Sequence, residues 1–269
     1  MSARDALLEI LVENLPAGWV APAAGQLKSS ASEELAAAGL RCGPAEAYGT
    51  CRRLVLYIPG VPAGPAARAL SRVFPRLIGG LGFPSVMPWN DSGCRFARPI
   101  RGLLALHGER LVPFSLAGLK SGRATEGQEA AGPRRIKVAA AEKYFKALEH
   151  AAVLVKDAER LAALRRGLEA AACRMGLSVE TPEDSLRENL YLAEYPVVAV
   201  SGFPQGLLAL PPDRVRRALR ELSFFPVSDG AGRLQPYFAG VRDGSSKGQR
   251  NVEEGFRAAL EERLAASTP

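Results

Sequence analysis

Two turn segments constrain this chain more than any other feature. His107-Gly108-Glu109-Arg110 separates apolar runs at 102–106 and 111–116, and Asp229-Gly230-Ala231-Gly232 separates runs at 224–227 and 234–241. Connections this short join antiparallel strands, whereas a parallel pair needs a crossover of a dozen or more residues. His107, placed in the first turn, is expected to be exposed. The remaining pattern alternates strands with helices. Strands are predicted at 7–12, at 53–58 (ended by Pro59-Gly60) and at 197–201. Helices are predicted at 20–38 with Gly39 as a C-cap, and at 66–78, where Pro75 should force a bend or break. Further helices are expected at 142–149, 183–193 and from Pro211-Pro212-Asp213 onward, with an exposed helix at 251–266. A helix at 157–175, with Asp157 as N-cap, should bury Leu161, Leu164, Leu168, Ala172 and Met175. Hairpins with helices between them predict an α+β fold of mixed and antiparallel sheets with packed helices, not a doubly wound parallel sheet.

The 269 residues, 47% hydrophobic and 23% charged, fit a globular chain of one large or two small domains. We expect one region with two subdomains, 1–137 and 138–269. Apolar stretches such as Val197-Val198-Ala199-Val200 are far shorter than the ~20 residues of a membrane span. Asp5 and Glu9 interrupt the first apolar run, unlike a secretory signal, so a cytoplasmic location and no membrane partner are expected. Residues 265–269 have the polar, unpatterned character of a natural terminus. Cys42, Cys51, Cys94 and Cys173 show no metal-ligand spacing, and His107 and His150 are the only histidines; reduced thiols, no metal and no cofactor are expected.

Charge is unevenly placed. The net charge of +7 resolves into +1 over 1–94, +6 over 95–137, −2 over 138–211, +4 over 212–250 and −2 over 251–269. Clustered cations fit a polyanion, and the alternative is a solvated basic surface. Arginine forks phosphate and stacks on bases, so Arg95, Arg98, Arg101, Arg123, Arg134, Arg135 and Lys137 suit RNA. On the predicted helix after Pro212, Val215, Ala218, Leu219 and Leu222 share one face, while Arg214, Arg217 and Arg220, with Arg216 beside them, line the other. The loop from Gly244 through Lys247 to Arg250 enters the last helix, where free N–H groups favour an anion; a merely flexible loop is the alternative. Catalytic groups are scarce. Neither histidine stands beside a nucleophile, Glu183 and Asp184 suit a helix start, and Gly79-Gly80-Leu81-Gly82 lacks the spacing of a nucleotide loop. Phe96 is expected in the core.

The order Leu8-Glu9-Ile10-Leu11-Val12-Glu13-Asn14-Leu15-Pro16, Cys51-Arg52-Arg53-Leu54, Met87-Pro88-Trp89 and Phe96-Ala97-Arg98-Pro99-Ile100-Arg101 resembles the N-terminal region of the β subunit of bacterial glycyl-tRNA synthetase. The likeness continues through Glu194-Tyr195-Pro196-Val197-Val198, Leu208-Ala209-Leu210-Pro211, Phe224-Phe225-Pro226-Val227 and Leu234-Gln235-Pro236-Tyr237-Phe238. It implies an α+β region similar to the editing-like domain of the phenylalanyl-tRNA synthetase β subunit. It also implies tRNA capture with catalysis on a separate α subunit. The family's HD-like and anticodon-binding domains are expected to be absent here. A long family insertion between Ile58 and Pro65 is missing, and the family's Arg-Gly-His-Arg-Phe segment is reduced to Gly122-Arg123-Ala124-Thr125-Glu126-Gly127. The expected function is therefore a stand-alone, non-catalytic tRNA-binding protein that grips the acceptor arm by shape and phosphate contacts, broadly across tRNAs. Arg52, Arg53, Arg242, Lys247 and Arg250 join the residues above as RNA contacts. The alternatives are a trans-editing deacylase and an accessory subunit that partners an α-type synthetase chain.

Overall fold

A computed structural model describes residues 3–64, 66–88, 90–128, 131–245 and 247–266. Trp89 of the 87–89 motif, Pro65, Ser246 and residues 267–269 of the expected terminus lie outside the described residues. The chain divides into two compact units, Met1–Asp157 and Ala158–Pro269. Residues 138–157, expected with the second subdomain, belong to the first. Val138, Ala141, Tyr144, Leu148, Val153 and Val155 form one buried cluster with Leu7, Val55, Leu104 and Leu106.

The first unit is built on the sheet β2-β3-β1-β6-β7, with neighbouring strands antiparallel. These strands are β1 (Arg4–Val12), β2 (Glu46–Thr50), β3 (Arg53–Val61), β6 (Ile100–His107) and β7 (Arg110–Leu111). Short ladders β4 (Met87–Pro88) with β5 (Arg95–Phe96), β8 (Ser115–Leu116) with β9 (Leu119–Lys120), and β10 (Ala124–Glu126) with β11 (Arg135–Lys137) decorate it. Both faces of β1 are covered, which is why its sequence is almost continuously apolar. One face meets α1 (Ala17–Ala37): Gly49 of β2 lies so close to Val20 that a Cβ there would stand 2.4 Å from the valine methyl. The other face carries Leu7 and Val55 and is covered by α3 (Tyr144–Glu149) and its flanking residues. Helix α1 stops as expected: Gly39 adopts φ +68°, its N–H donates to the Ala36 carbonyl, and Leu40 N–H donates to Leu35.

Several expectations are corrected. β3 does not end at Pro59-Gly60. Gly60 takes φ +67° in a bulge opposite Asp5, whose carboxylate accepts from the Gly60 N–H (3.0 Å) and the Tyr57 hydroxyl, and pairing resumes at Val61. α2 (Ala66–Gly79) runs through Pro75 without a break. His107 is buried, because β6 includes it between Ala6 and Arg110, and its Nε2 lies 3.2 Å from the Val61 carbonyl. The turn is thus only Gly108-Glu109, and the run 111–116 is split between β7 and β8 rather than one strand. His150 is exposed and Phe96 buried, as expected.

In the second unit the sheet order is β12-β14-β15-β13, all antiparallel, from β12 (Ser178–Val179), β13 (Pro196–Gly202), β14 (Phe225–Ser228) and β15 (Leu234–Asp243). Leu164, Leu168 and Leu186, from α4 (Asp157–Met175) and α5 (Glu183–Leu190), pack on Phe225 and Ala239. Phe238, one residue along β15, faces the opposite way into a cluster with Val215 and Leu219 of α6 (Pro212–Glu221) and Leu260 and Leu264 of α7 (Gln249–Ala266). α7 is therefore half in the core, where a wholly exposed helix was expected. The buried stripe of α4 is Arg160, Leu164, Leu168 and Ala171, with Leu161, Ala172 and Met175 at its margin. Arg160 is tolerated there because its Nε donates to the Leu190 carbonyl (2.8 Å) and its guanidinium lies 5.7 Å from the Tyr191 ring.

Gly240 lets α7 approach β15: a Cβ there would lie 2.4 Å from the Phe256 ring. Gly240→Ala is expected to cost about 1–3 kcal/mol by overpacking. Adding Phe256→Leu should restore part of that in urea unfolding, since the clash is with this ring.

Candidate nucleic-acid interface

The interface starts from an ion pair inside the first unit. Glu9 and Arg53 stand on the same face of the sheet, since Glu9 pairs across β3 with Val55 and Arg53 with Leu11. Both are about 1% exposed, and Arg53 Nη1 lies 3.1 Å from the Glu9 carboxylate. Both terminal nitrogens of the guanidinium find further acceptors. Nη1 also donates to Thr125 Oγ1 (3.0 Å) and Nη2 to the Glu126 carbonyl (2.9 Å), while the fully buried Tyr144 hydroxyl donates to Glu9. Burial, and then the negative charge of Glu9, push the Tyr144 hydroxyl pKa well above its ordinary value, so it remains a donor. This network ties the hairpin β10–β11 to the sheet.

Above the network lie two clefts that share Leu11, Arg101 and Glu126. The first, about 630 Å³, is walled by residues 12–14, by Arg98-Pro99 and by Gly127 and Arg134. Backbone bonds from Val12 to Arg52, Glu13 to Pro99 and Leu15 to Cys51 fix this wall, and Arg98 Nε donates to the Asn14 carbonyl. The second cleft, about 750 Å³, has Leu103 and Leu119 beside Leu11, and Arg101, Lys120, Arg123, Arg135 and Lys137 around them. Two arginines carry carboxylate partners at the surface: Arg101 with Glu13 (3.1 Å) and Arg134 with Glu126 (3.0 Å). Lys120, Arg135 and Lys137 are exposed, and their side chains have no ion-pair partner among the described residues. The arrangement is a concave, positively charged surface with apolar members in its lining, suited to an anion carrying flat or hydroxylated groups.

The family model for the glycyl-tRNA synthetase beta subunit matches residues 6–68 and 61–267. The chain belongs to the glycyl-tRNA synthetase beta subunit family. Its relatives include the glycine–tRNA ligase beta subunits of Desulforudis audaxviator (32% identical) and Desulforamulus reducens (31%), each aligned over 98% of this chain and 47% of the relative. The Bacillus subtilis protein is 30% identical over 78% of this chain and 31% of its own length. The chain thus spans about half the length of the curated relatives it matches most fully. The two stretches of the family match meet at residues 61–68, the connection from β3 to α2, where the sequence lacks the expected insertion.

Within this family member, eight of the nine expected first-unit contacts line the two clefts: Arg52, Arg53, Arg98, Arg101, Arg123, Arg134, Arg135 and Lys137. Arg95 does not; its guanidinium donates to the Val86 carbonyl. Arg53 is corrected from a surface contact to a buried strut, because its charge is already matched by Glu9. Arg123 donates to the Glu109 carbonyl (2.7 Å). Lys120 was missed, as were the acids Glu13 and Glu126; only the alternation of 135–137 hinted at the hairpin that gathers them. The other expected contacts lie in the second unit. Arg217 and Arg220 project from α6 and are exposed, while Arg214 donates to the Leu264 carbonyl (3.1 Å). Arg216 is corrected likewise. It forks Glu180 at 2.9 to 3.1 Å and donates to the Gly232 carbonyl. Arg242 donates to the Lys247 carbonyl, Lys247 is exposed, and Arg250 pairs with Glu254 (3.1 Å). The described residues hold no cluster of three potential metal ligands and no helix long and apolar enough to cross a membrane; all four cysteines are free thiols.

Removing one member of the buried pair leaves the other charge unmatched. Arg53→Met is expected to lower stability by about 3–5 kcal/mol, and Arg53→Met with Glu9→Met to recover most of it, in urea unfolding. The Glu180–Arg216 pair predicts a pH effect. Burial alone would raise the Glu180 pKa, but hydrogen bonds from Arg216 and Ser228 outweigh it and hold the carboxyl below its ordinary value. A depressed carboxyl pKa stabilises the fold above the unfolded value of about 4.3 and loses that contribution as pH falls through the folded value. Wild type should therefore exceed Glu180→Gln in melting temperature at pH 7, with the gap closing below about pH 4.

Proposed function

We propose that this chain binds tRNA without an active site of its own, holding the acceptor arm against the paired clefts of the first unit. The observation that carries this reading is the convergence of seven separately predicted cations, from Arg52 to Lys137 with the buried Arg53 set aside, on one concave surface. Phosphate contacts from exposed lysine and arginine position an A-form stem and carry little sequence information, so binding extends broadly across tRNA species. Membership of the glycyl-tRNA synthetase beta subunit family supports tRNA as the polyanion. The collinear motifs further support a kinship of the first unit with the editing-like domain of the phenylalanyl-tRNA synthetase β subunit. For a trans-editing deacylase there is less support, since the groups on the cleft linings that could move a proton, Glu13 and Glu126, are each held by an arginine. The relatives are subunits of a ligase, which favours a second reading, an accessory subunit that partners an α-type catalytic chain.

The test is a binding titration against tRNA, an acceptor-stem minihelix and a DNA duplex of equal length, at two salt concentrations. We expect tRNA and minihelix to bind far more tightly than DNA, and equal binding to all three would reduce the clefts to a sticky surface. Replacing Lys120, Arg135 and Lys137 together by alanine should lower the slope of log affinity against log salt by about 2–3. Arg217→Ala with Arg220→Ala, on a folded protein, reports whether α6 shares the contact: an unchanged slope removes it. Co-purification with a class II synthetase chain would favour the accessory reading.

A further inference from the structure

Resting on the tRNA reading above, we infer that the paired clefts take unpaired nucleotides, so that they hold the single-stranded end of the acceptor arm while the cations at their rim meet the phosphates of its duplex. Three features of the surface point the same way. The site is recessed, whereas an A-form stem keeps its bases stacked inside and offers phosphates and 2′-hydroxyls on a convex surface, which a cleft meets only at its rim. Its lining has apolar members: Leu119 beside the nearly covered Leu11 and Leu103 in the second cleft, and Pro99 and Met87 in the first. Met87 is 40% exposed, among the few large hydrophobic side chains of the described residues left open to water. Splayed bases have apolar faces that cover such side chains, and a duplex does not present them.

The third feature decides between phosphate and base. A surface built only for phosphate gains nothing from carboxylates, yet Glu13 and Glu126 open into the first cleft with side chains 49% and 41% exposed. Each shares an oxygen with an arginine and keeps acceptor capacity on the other. Against a phosphate these oxygens repel. Against an unpaired nucleotide they accept from exocyclic amino groups and ribose hydroxyls, while the cations beside them meet the backbone on either side. The alternation of cation and carboxylate therefore matches a strand whose bases, sugars and phosphates all reach the protein.

The experiment compares one labelled RNA stem bearing an unpaired 3′ overhang with the same strand annealed to a longer complement that pairs the overhang. The overhang is expected to bind about tenfold more tightly than the fully paired form, the scale of a single charge-assisted hydrogen bond. Glu13→Gln and Glu126→Gln give the sharper sign. Both side chains keep 41% or more of their surface open to water and the exchange is isosteric, so the fold is retained, and both changes make the cleft more positive. A phosphate-only site would then bind both RNAs more tightly. A site for unpaired nucleotides loses about tenfold on the overhang while the paired form is unchanged or gains. Equal binding of the two RNAs by wild type, or a parallel gain in both variants, overturns this inference and leaves the tRNA reading standing. If neither RNA binds, the tRNA reading falls and this inference with it.

Discussion

The buried Glu9–Arg53 pair is the constraint on which the first unit depends. A glutamate between Leu8 and Ile10 cannot lie in a covered sheet without a counter-charge and donors for its oxygens. Arg53 and Tyr144 supply both, and the demand runs outward from there. The arginine still needs acceptors, which it finds in Thr125 and the Glu126 carbonyl. Satisfying one misplaced acid thus stitches together β1, β3, β10 and α3, elements separated by up to 135 residues. What the pair gives in net stability is small, because desolvation offsets attraction. Its effect is on geometry: hairpin β10–β11 has one position in which the arginine is satisfied.

That geometry explains why the basic surface is concave. Residues 95–137 carry the largest charge excess in the chain, and cations crowded on a flat sheet edge would repel one another. Here the segment folds back, so that Arg101 arrives on β6, Arg123 just before β10, Arg134 just before β11, and Arg135 and Lys137 on β11. The carboxylates Glu13 and Glu126 each take one arginine, Arg101 and Arg134, and keep a second oxygen open to the cleft. Lys120, Arg135 and Lys137 are left unmatched among the described residues, a local imbalance that an incoming anion would neutralise.

The architecture was legible where local chemistry determines it. Gly39 stops α1 because only a residue at ease with positive φ closes that cap, and the 229–232 turn joins β14 to β15 because a connection that short admits only an antiparallel partner. The failures have tertiary causes. Pro59-Gly60 is a stop signal by composition, but the Asp5 carboxylate rewards the Gly60 N–H and turns the stop into a bulge. His107 reads as a turn residue until the second strand proves only two residues long, which shifts the turn forward and draws the histidine into the sheet. At the interface the cations were visible as charge excess, whereas Glu13 and Glu126 carried no signal, because an acid beside an arginine acquires meaning only when a cleft opens between them.

Arginine itself poses the harder problem, since one residue type does two jobs here. Arg53, Arg160 and Arg216 are spent inside the fold on Glu9, on the Leu190 carbonyl and on Glu180, while Arg101, Arg135, Arg217 and Arg220 face outward. Periodicity separates most of them. Arg53 shares the strand parity of Val55 and Tyr57, hence the face that α3 covers, and Arg160 stands four residues before Leu164 on the buried stripe of its helix. Arg135 flanks Ile136 on a two-residue alternation that turns both neighbours outward. A basic residue in phase with the apolar set is a strut that needs an internal acceptor, and one out of phase is available to a ligand. Arg216 escapes that rule: it lies one position from Val215, and only the distant Glu180 reveals that its charge is already in use.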